Sequence, residues 1–280
     1  MLILEILKAI IIGAVEGITE WLPISSTGHM ILIDELLSLR VSEEFLEMFL
    51  VVIQLGAILA VPVLFWDRLW PFSSKRRAEE KKGIVNLWGK VIVGAIPAAV
   101  LGLLLDDLLD TYLYNYIVVA IALIVYGISF ILVEKFRAEK NYAIDDAEKL
   151  TYVDALKIGA FQCLSLIPGT SRSGSTILGG MLCGISRKAS AEFSFFMAIP
   201  IMLGASGLKI LKFLLEGFKA SGEEILLLLV GIVVSFLVSF FVIRFLMDFV
   251  KRHDFKIFGY YRIALGVLVI AYFVFKLLVN

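Results

Sequence analysis

Glu16 and Glu20 stand four residues apart inside an apolar stretch, and Ser25-Ser26-Thr27-Gly28-His29 follows directly. On a helix that spacing puts both carboxylates on one face. Two like charges so close in apolar surroundings repel; a divalent cation, or a proton on one of them, relieves the repulsion. The three hydroxyls and the imidazole fall just after Pro23, where a helix must break. A hydroxyl becomes a nucleophile once a base takes its proton, and an imidazole can act as base, acid or phosphorus nucleophile. The plainer reading of the hydroxyls is capping of the helix that restarts near His29. Capping and catalysis are compatible. For the carboxylates the plainer reading is a pair at a wet interface.

A second break supplies positive charge: Pro168-Gly169-Thr170-Ser171-Arg172-Ser173-Gly174-Ser175-Thr176. A Gly- and Ser-rich turn entering a helix exposes backbone N–H groups that favour an anion. Arg172 adds a planar fork suited to phosphate. Gly169 and Gly174 have P-loop spacing, but Ser175 stands where that motif needs Lys, which excludes a Walker A site. The plainer reading of Arg172 is an ion pair with Glu16 or Glu20. Together the two breaks hold the groups of a phosphate-binding or phosphoryl-transfer centre.

The elements that must position these groups are apolar. The 280 residues are 60% hydrophobic and 19% charged, with mean hydropathy +0.94. That is too apolar for one water-soluble core, and it excludes a disordered chain and a disulfide-stapled secreted domain. Six runs are long enough to span a bilayer, about 45–66, 87–106, 114–134, 192–214, 225–246 and 260–279. Two stretches, 2–34 and 153–185, are interrupted by the breaks, and their short arms suit re-entrant half-helices. The predicted fold is an all-α polytopic membrane protein, with six transmembrane helices and two re-entrant helical hairpins in a single integral domain, 1–280.

Net charge is zero, so no nucleic-acid partner is expected. Basic residues concentrate in the loops 67–90, 135–157 and 244–262, the last including Arg244, Lys251, Arg252, Lys256 and Arg262, while 106–113 carries Asp106, Asp107 and Asp110. The positive-inside rule places the basic loops in the cytoplasm and both termini outside. The first hairpin then enters from outside and the second from the cytoplasm. No signal peptide is expected, because no basic n-region or cleavage site precedes Glu16. Ile12-Gly13-Ala14-Val15-Glu16 resembles Ile158-Gly159-Ala160-Phe161-Gln162, and three spans follow each break, so repeat 1 (about 1–135) and repeat 2 (about 153–280) are expected to be inverted. Gln54, Gln162 and Glu192 read as interhelical hydrogen-bonding groups, Asp145 and Asp146 as solvated surface, and Cys163 and Cys183 as small hydrophobes. Trp21, Trp66, Trp70 and Trp88 read as interfacial anchors.

Glu16-x3-Glu20 followed by Trp21-Leu22-Pro23-Ile24-Ser25-Ser26-Thr27-Gly28-His29 resembles the first motif of the bacterial undecaprenyl-diphosphate phosphatases, the bacitracin-resistance family. Pro168-Gly169-x-Ser171-Arg172-Ser173-x2-Thr176 resembles their second motif, and Val52–Gly56 and Glu192–Phe195 extend the likeness along the chain. The resemblance implies conversion of undecaprenyl diphosphate to the monophosphate carrier in the bacterial inner membrane, at its outer face, with a divalent cation (Mg2+ or Ca2+). This recycles lipid carrier for peptidoglycan and confers bacitracin resistance. By motif, Glu16 and Glu20 would hold the metal or act as base, and Ser26 or His29 would attack phosphorus. Arg172 would clamp the phosphates with the turn after Gly169. Ser25, Thr27, Gly169, Thr170, Ser171, Ser173 and Thr176 would complete the phosphate site. Attack by water stays open beside Ser26 and His29. A homodimer is compatible with this reading. Phosphatidic-acid-type phosphatases do not fit, since the chain lacks a K-x6-R-P motif. The competing class is a transporter or flippase of a prenyl phosphate lipid, which would bind the same anion without cleaving it.

Overall fold

A computed structural model describes residues 2–279 apart from 75 and 138–141. Lys75 and Lys140 of the basic loops, and the side chains of Asp106, Asp107 and Asp110, lie outside the described residues. The described chain is helical, in the order α1 Leu2–Thr19, α2 Ser26–Leu37, α3 Glu43–Val52, α4 Gln54–Leu64, α5 Trp66–Leu69, α6 Ala78–Leu113, α7 Tyr116–Arg137, α8 Tyr152–Gln162, α9 Arg172–Leu182, α10 Arg187–Leu215, α11 Gly222–Phe249 and α12 Lys256–Val279. Six stretches among the described residues are long and apolar enough to cross a membrane: Glu43–Leu64 (α3 and α4 together), Ala78–Leu105, Tyr116–Arg137, Arg187–Leu215, Gly222–Phe249 and Lys256–Leu278. They are the six expected from the sequence, with longer polar ends. The chain is a multi-pass membrane protein.

Helix α7 explains how so apolar a chain folds. Its Val119, Ala120, Leu123, Gly127 and Phe130 are buried against neighbours, while Ile117, Ile121, Val125, Ile128 and Leu132 are about half exposed. One face packs and the other meets lipid, so the helix is apolar all round. With 22 residues it is about 33 Å long, matching the hydrocarbon core.

Lipid offers no hydrophobic drive between helices, so close backbone approach has to hold them together. α7 lies on α12 with Gly127 against Gly259, where a Cβ on either would come 2.7 Å from the other's carbonyl. α1 lies on α11, where a Cβ on Gly13 would come 2.7 Å from the Gly231 carbonyl, and α8 lies on α6, where a Cβ on Gly159 would meet the Gly94 carbonyl.

The ends of the bundle are polar. Arg68 on α5 pairs with Asp146 (2.6 Å) and with the buried Glu192 of α10, and Lys90 donates to the Glu148 carbonyl. Glu134, fully buried at the end of α7, takes Arg187 (2.5 Å) and the Phe255 amide. The three basic loops therefore meet at one end. Asp146, expected as free surface, is tied down there, and Glu192 bonds between elements as expected. At the other end Lys8 donates to the Ser38 carbonyl and the Arg40 amide to Glu5, joining the start of α1 to the end of α2. Gln162 does not meet its expectation, since it is buried with no partner at either amide atom.

Candidate functional site

The chain breaks twice, and both breaks are made alike. α1 ends at Thr19, although the Glu20 amide still donates to the Glu16 carbonyl, so the two carboxylates do share a helical turn. Pro23, which has no N–H, forbids continuation. α2 then restarts with Ser25 as N-cap, its hydroxyl accepting from the Gly28 amide at 3.3 Å. α9 restarts with Ser171 as N-cap, accepting from the Gly174 amide at 3.1 Å. Ser25 (φ 74°) and Ser171 (φ 73°) are the only non-glycine residues with positive φ among those described. Such backbone is strained and persists only where its surroundings fix it. Gly169 (φ 89°) takes the left-handed region freely, and a Cβ there would come 2.5 Å from the Val119 carbonyl.

The breaks meet. Arg172 Nη2 pairs with Glu20 Oε1 at 2.9 Å, and both side chains are about nine-tenths buried. Ser26 Oγ donates to the other Glu20 oxygen at 3.2 Å. Arg172 Nη1 donates to the Ser194 carbonyl of α10 at 2.8 Å, and its guanidinium lies 5.6 Å from the Trp21 ring. Trp21 was expected at the membrane interface; it is fully buried, edge-on to Phe195, as the wall behind Arg172. Arg172 Nε and Glu16 Oε1 are buried without protein partners.

The predicted site residues divide in two. Ser26, Thr27, His29, Ser171 and Arg172 keep part of their surface open, and Glu20 lies just beneath them. Ser25, Thr170, Ser173 and Thr176 are fully buried. Ser173 Oγ donates to the Glu20 carbonyl (3.1 Å), and Thr176 Oγ1 lies 2.7 Å from Ser194 Oγ. The amides of Thr170, Gly174 and Ser175 are bonded within the turn. Much of the expected anion nest is therefore scaffold, and the reachable positive group is Arg172.

Two residues on α12 escaped the sequence reading. Arg262, counted there among the basic loop residues, is fully buried inside the helix. It donates to the carbonyls of Pro23 (3.2 Å), Gly169 (2.8 Å) and Thr170 (2.8 Å), so one guanidinium fastens both breaks. The loop 244–262 and the apolar run 260–279 overlap at Arg262, and α12, which begins at Lys256, places it in the helix. The available signal was a cation seven residues into that helix, since a charge within a span needs a partner. Tyr261, its neighbour, lies with its hydroxyl 2.7 Å from His29 Nε2, while His29 Nδ1 lies 2.7 Å from the Ser25 carbonyl.

The cluster can hold an anion at Arg172 and can deprotonate a hydroxyl, because Ser26 already donates to a carboxylate. It defines the chain as a multi-spanning helical membrane protein with a polar centre where the two chain breaks meet. The chain belongs to the bacitracin resistance protein BacA family, whose model matches residues 9–268. It is 57% identical over 270 residues to the undecaprenyl-diphosphatase of Acetivibrio thermocellus, covering 96% of this chain and 98% of that one. It is 58% identical over 271 residues to undecaprenyl-diphosphatase 1 of Clostridioides difficile, covering 97% of each, and 55% identical over 269 residues to the enzyme of that name in Enterococcus faecalis, covering 95% and 96%.

Proposed function

We infer that the chain hydrolyses undecaprenyl diphosphate to undecaprenyl phosphate and inorganic phosphate, returning lipid carrier to cell-wall synthesis and conferring bacitracin resistance. Membership of the family and the relatives' names support this reading. The observation that carries the chemistry is the chain of contacts Ser26–Glu20–Arg172, which joins a hydroxyl, a base and a phosphate-seeking cation across the two breaks.

Ser26 Oγ attacks the terminal phosphorus and passes its proton to Glu20 Oε2. The bond from that phosphorus to the bridging oxygen breaks, and undecaprenyl phosphate leaves as its anion, which needs no acid. Water then attacks the phosphoserine and gives a proton to His29, while Ser26 Oγ recovers its proton from Glu20, inorganic phosphate departs and His29 releases its proton to solvent. Arg172, partly exposed as are Thr27 and Ser171, holds the terminal phosphate. Ser25, Gly169, Thr170, Ser173 and Thr176 keep the two breaks in register.

Glu16 and Glu20 fit a hard divalent cation such as Mg2+ or Ca2+, because Glu16 Oε1 is buried and unpartnered one turn from Glu20. No group of three or more His, Cys, Asp or Glu able to hold a metal occurs among the described residues, so substrate phosphate oxygens would complete the ligand set. Bound there, the cation neutralises the diphosphate's negative charge.

The site opens outward from the bacterial inner membrane, and the two broken segments are re-entrant hairpins of an inverted repeat, about 1–135 and 153–280, within one integral domain. Support comes from the exchange of partners between halves, α1 on α11 and α8 on α6, and from the joining of the start of α1 to the end of α2. The same exchange favours a second reading, carriage of a prenyl phosphate lipid across the bilayer.

Purified protein in detergent, where transport is impossible, is expected to release phosphate from undecaprenyl diphosphate when Mg2+ or Ca2+ is present and to stop when a chelator is added. No release with either metal leaves the carrier reading. A trapped phospho-enzyme is expected on Ser26; label on His29 instead moves the nucleophile there.

A further inference from the structure

The partner of His29 Nδ1 is a backbone carbonyl, Ser25 O at 2.7 Å, and a carbonyl can only accept. Nδ1 therefore carries the ring proton, and Nε2 of the neutral imidazole is a lone pair. That lone pair is covered by the Tyr261 hydroxyl at 2.7 Å, which must be the donor. The two rings lie within 9° of parallel, with centroids 5.6 Å apart. The hydroxyl has no other bonding partner among the described residues, and Tyr261 is 46% exposed, so its outer side is open. The next residue is Arg262, which holds Pro23, Gly169 and Thr170. Among the described residues, Arg262 on α12 is a charged group close to the imidazole, and it bonds neither ring nitrogen.

We propose that Tyr261 is a positioning residue of the phosphatase reaction: its hydroxyl caps Nε2 of His29 in the resting enzyme and transfers to a phosphate oxygen when the diphosphate enters, leaving Nε2 bare. This rests on the phosphatase reading above, and it deepens that reading by assigning the state of His29 before substrate binds. The geometry explains why a base at the centre can stay uncharged and aimed without substrate. The Ser25 carbonyl, held by the strained N-cap, sets the ring's tautomer, and α12 sets where the lone pair points. A phosphate oxygen is a stronger acceptor than a neutral imidazole, so the phenol has a reason to change partner.

The chain holds two histidines, so a His253→Asn background leaves His29 as the only imidazole. In that background Tyr261→Phe keeps the ring and removes the hydroxyl. Carbethoxylation of His29 by diethyl pyrocarbonate, followed by mass spectrometry, reads whether Nε2 is covered, and steady-state phosphate release reads the consequence. Tyr261→Phe is expected to be modified several-fold faster, with kcat lower by about tenfold, the scale of one hydrogen bond to a charged group, and KM little changed. An unchanged modification rate overturns the proposal even if kcat falls, since the loss would then be one of packing. A matching melting temperature confirms that the variant is folded. If the His253→Asn parent releases no phosphate, the phosphatase reading fails; the modification rates still show separately whether Tyr261 covers His29.

Discussion

Glu20 serves two neighbours at once, Arg172 through one oxygen and Ser26 through the other. In the proposed reaction that pair joins the base to the group that binds phosphate. Lys could supply the charge but not the fork that reaches Glu20 and the Ser194 carbonyl together. Arg172→Lys is expected to lower kcat/KM by about tenfold to a hundredfold, as loss of one or two charge-assisted hydrogen bonds predicts, with the fold intact. Ser26→Ala removes the oxygen proposed to attack and is expected to lose at least about a hundredfold. Phosphate-release assays on both variants check this, and a fully active Ser26→Ala would pass the attack to His29 or water.

At the scale of elements, position depends on glycine. α1 carries Glu16, leads directly into Glu20 and is held against α11 at Gly13, where a Cβ would lie 2.7 Å from the Gly231 carbonyl. Backbone cannot swing aside as a long side chain can. Gly13→Val should push the helix off its neighbour, costing about 1–3 kcal/mol as overpacking does. Thermal unfolding in detergent is expected to show a lower midpoint, and phosphate release to fall, although no reacting group has changed. Arg262 works at the same scale from the other side. Its three carbonyl acceptors belong to two segments far apart in sequence, so α12 fixes the relative placement of both breaks.

For the whole molecule, the basic loops converge at one end and the Lys8–Ser38 and Arg40–Glu5 contacts close the other. The loop-charge argument assigns the first end to the cytoplasm. In a Cys163→Ser, Cys183→Ser background, a cysteine at Lys251 is expected to react with an impermeant thiol reagent only in inverted vesicles, and one at Ser42 only in intact cells. The opposite pattern reverses the topology and, with it, the face at which substrate is met.

Sequence by itself determined the spans, the two breaks and nearly every group at the centre. Chain-local physics sets these: an apolar run of membrane length, a proline without a donor, carboxylates one helical turn apart. It even placed Arg172 opposite the Glu pair as the plainer alternative to phosphate binding, and the ion pair with Glu20 is present. It did not separate working groups from scaffold. Ser25 and Ser26 are adjacent and identical in type, yet one is a buried cap and the other donates to Glu20 from a partly open position. Nor did it give Arg262, Tyr261 or the burial of Trp21. Those roles come from what α12 and α10 bring against the breaks across more than a hundred residues of chain. Only the tertiary structure sets which polar atoms meet, because in an apolar bundle each buried donor is committed by the acceptor that packing puts within its reach.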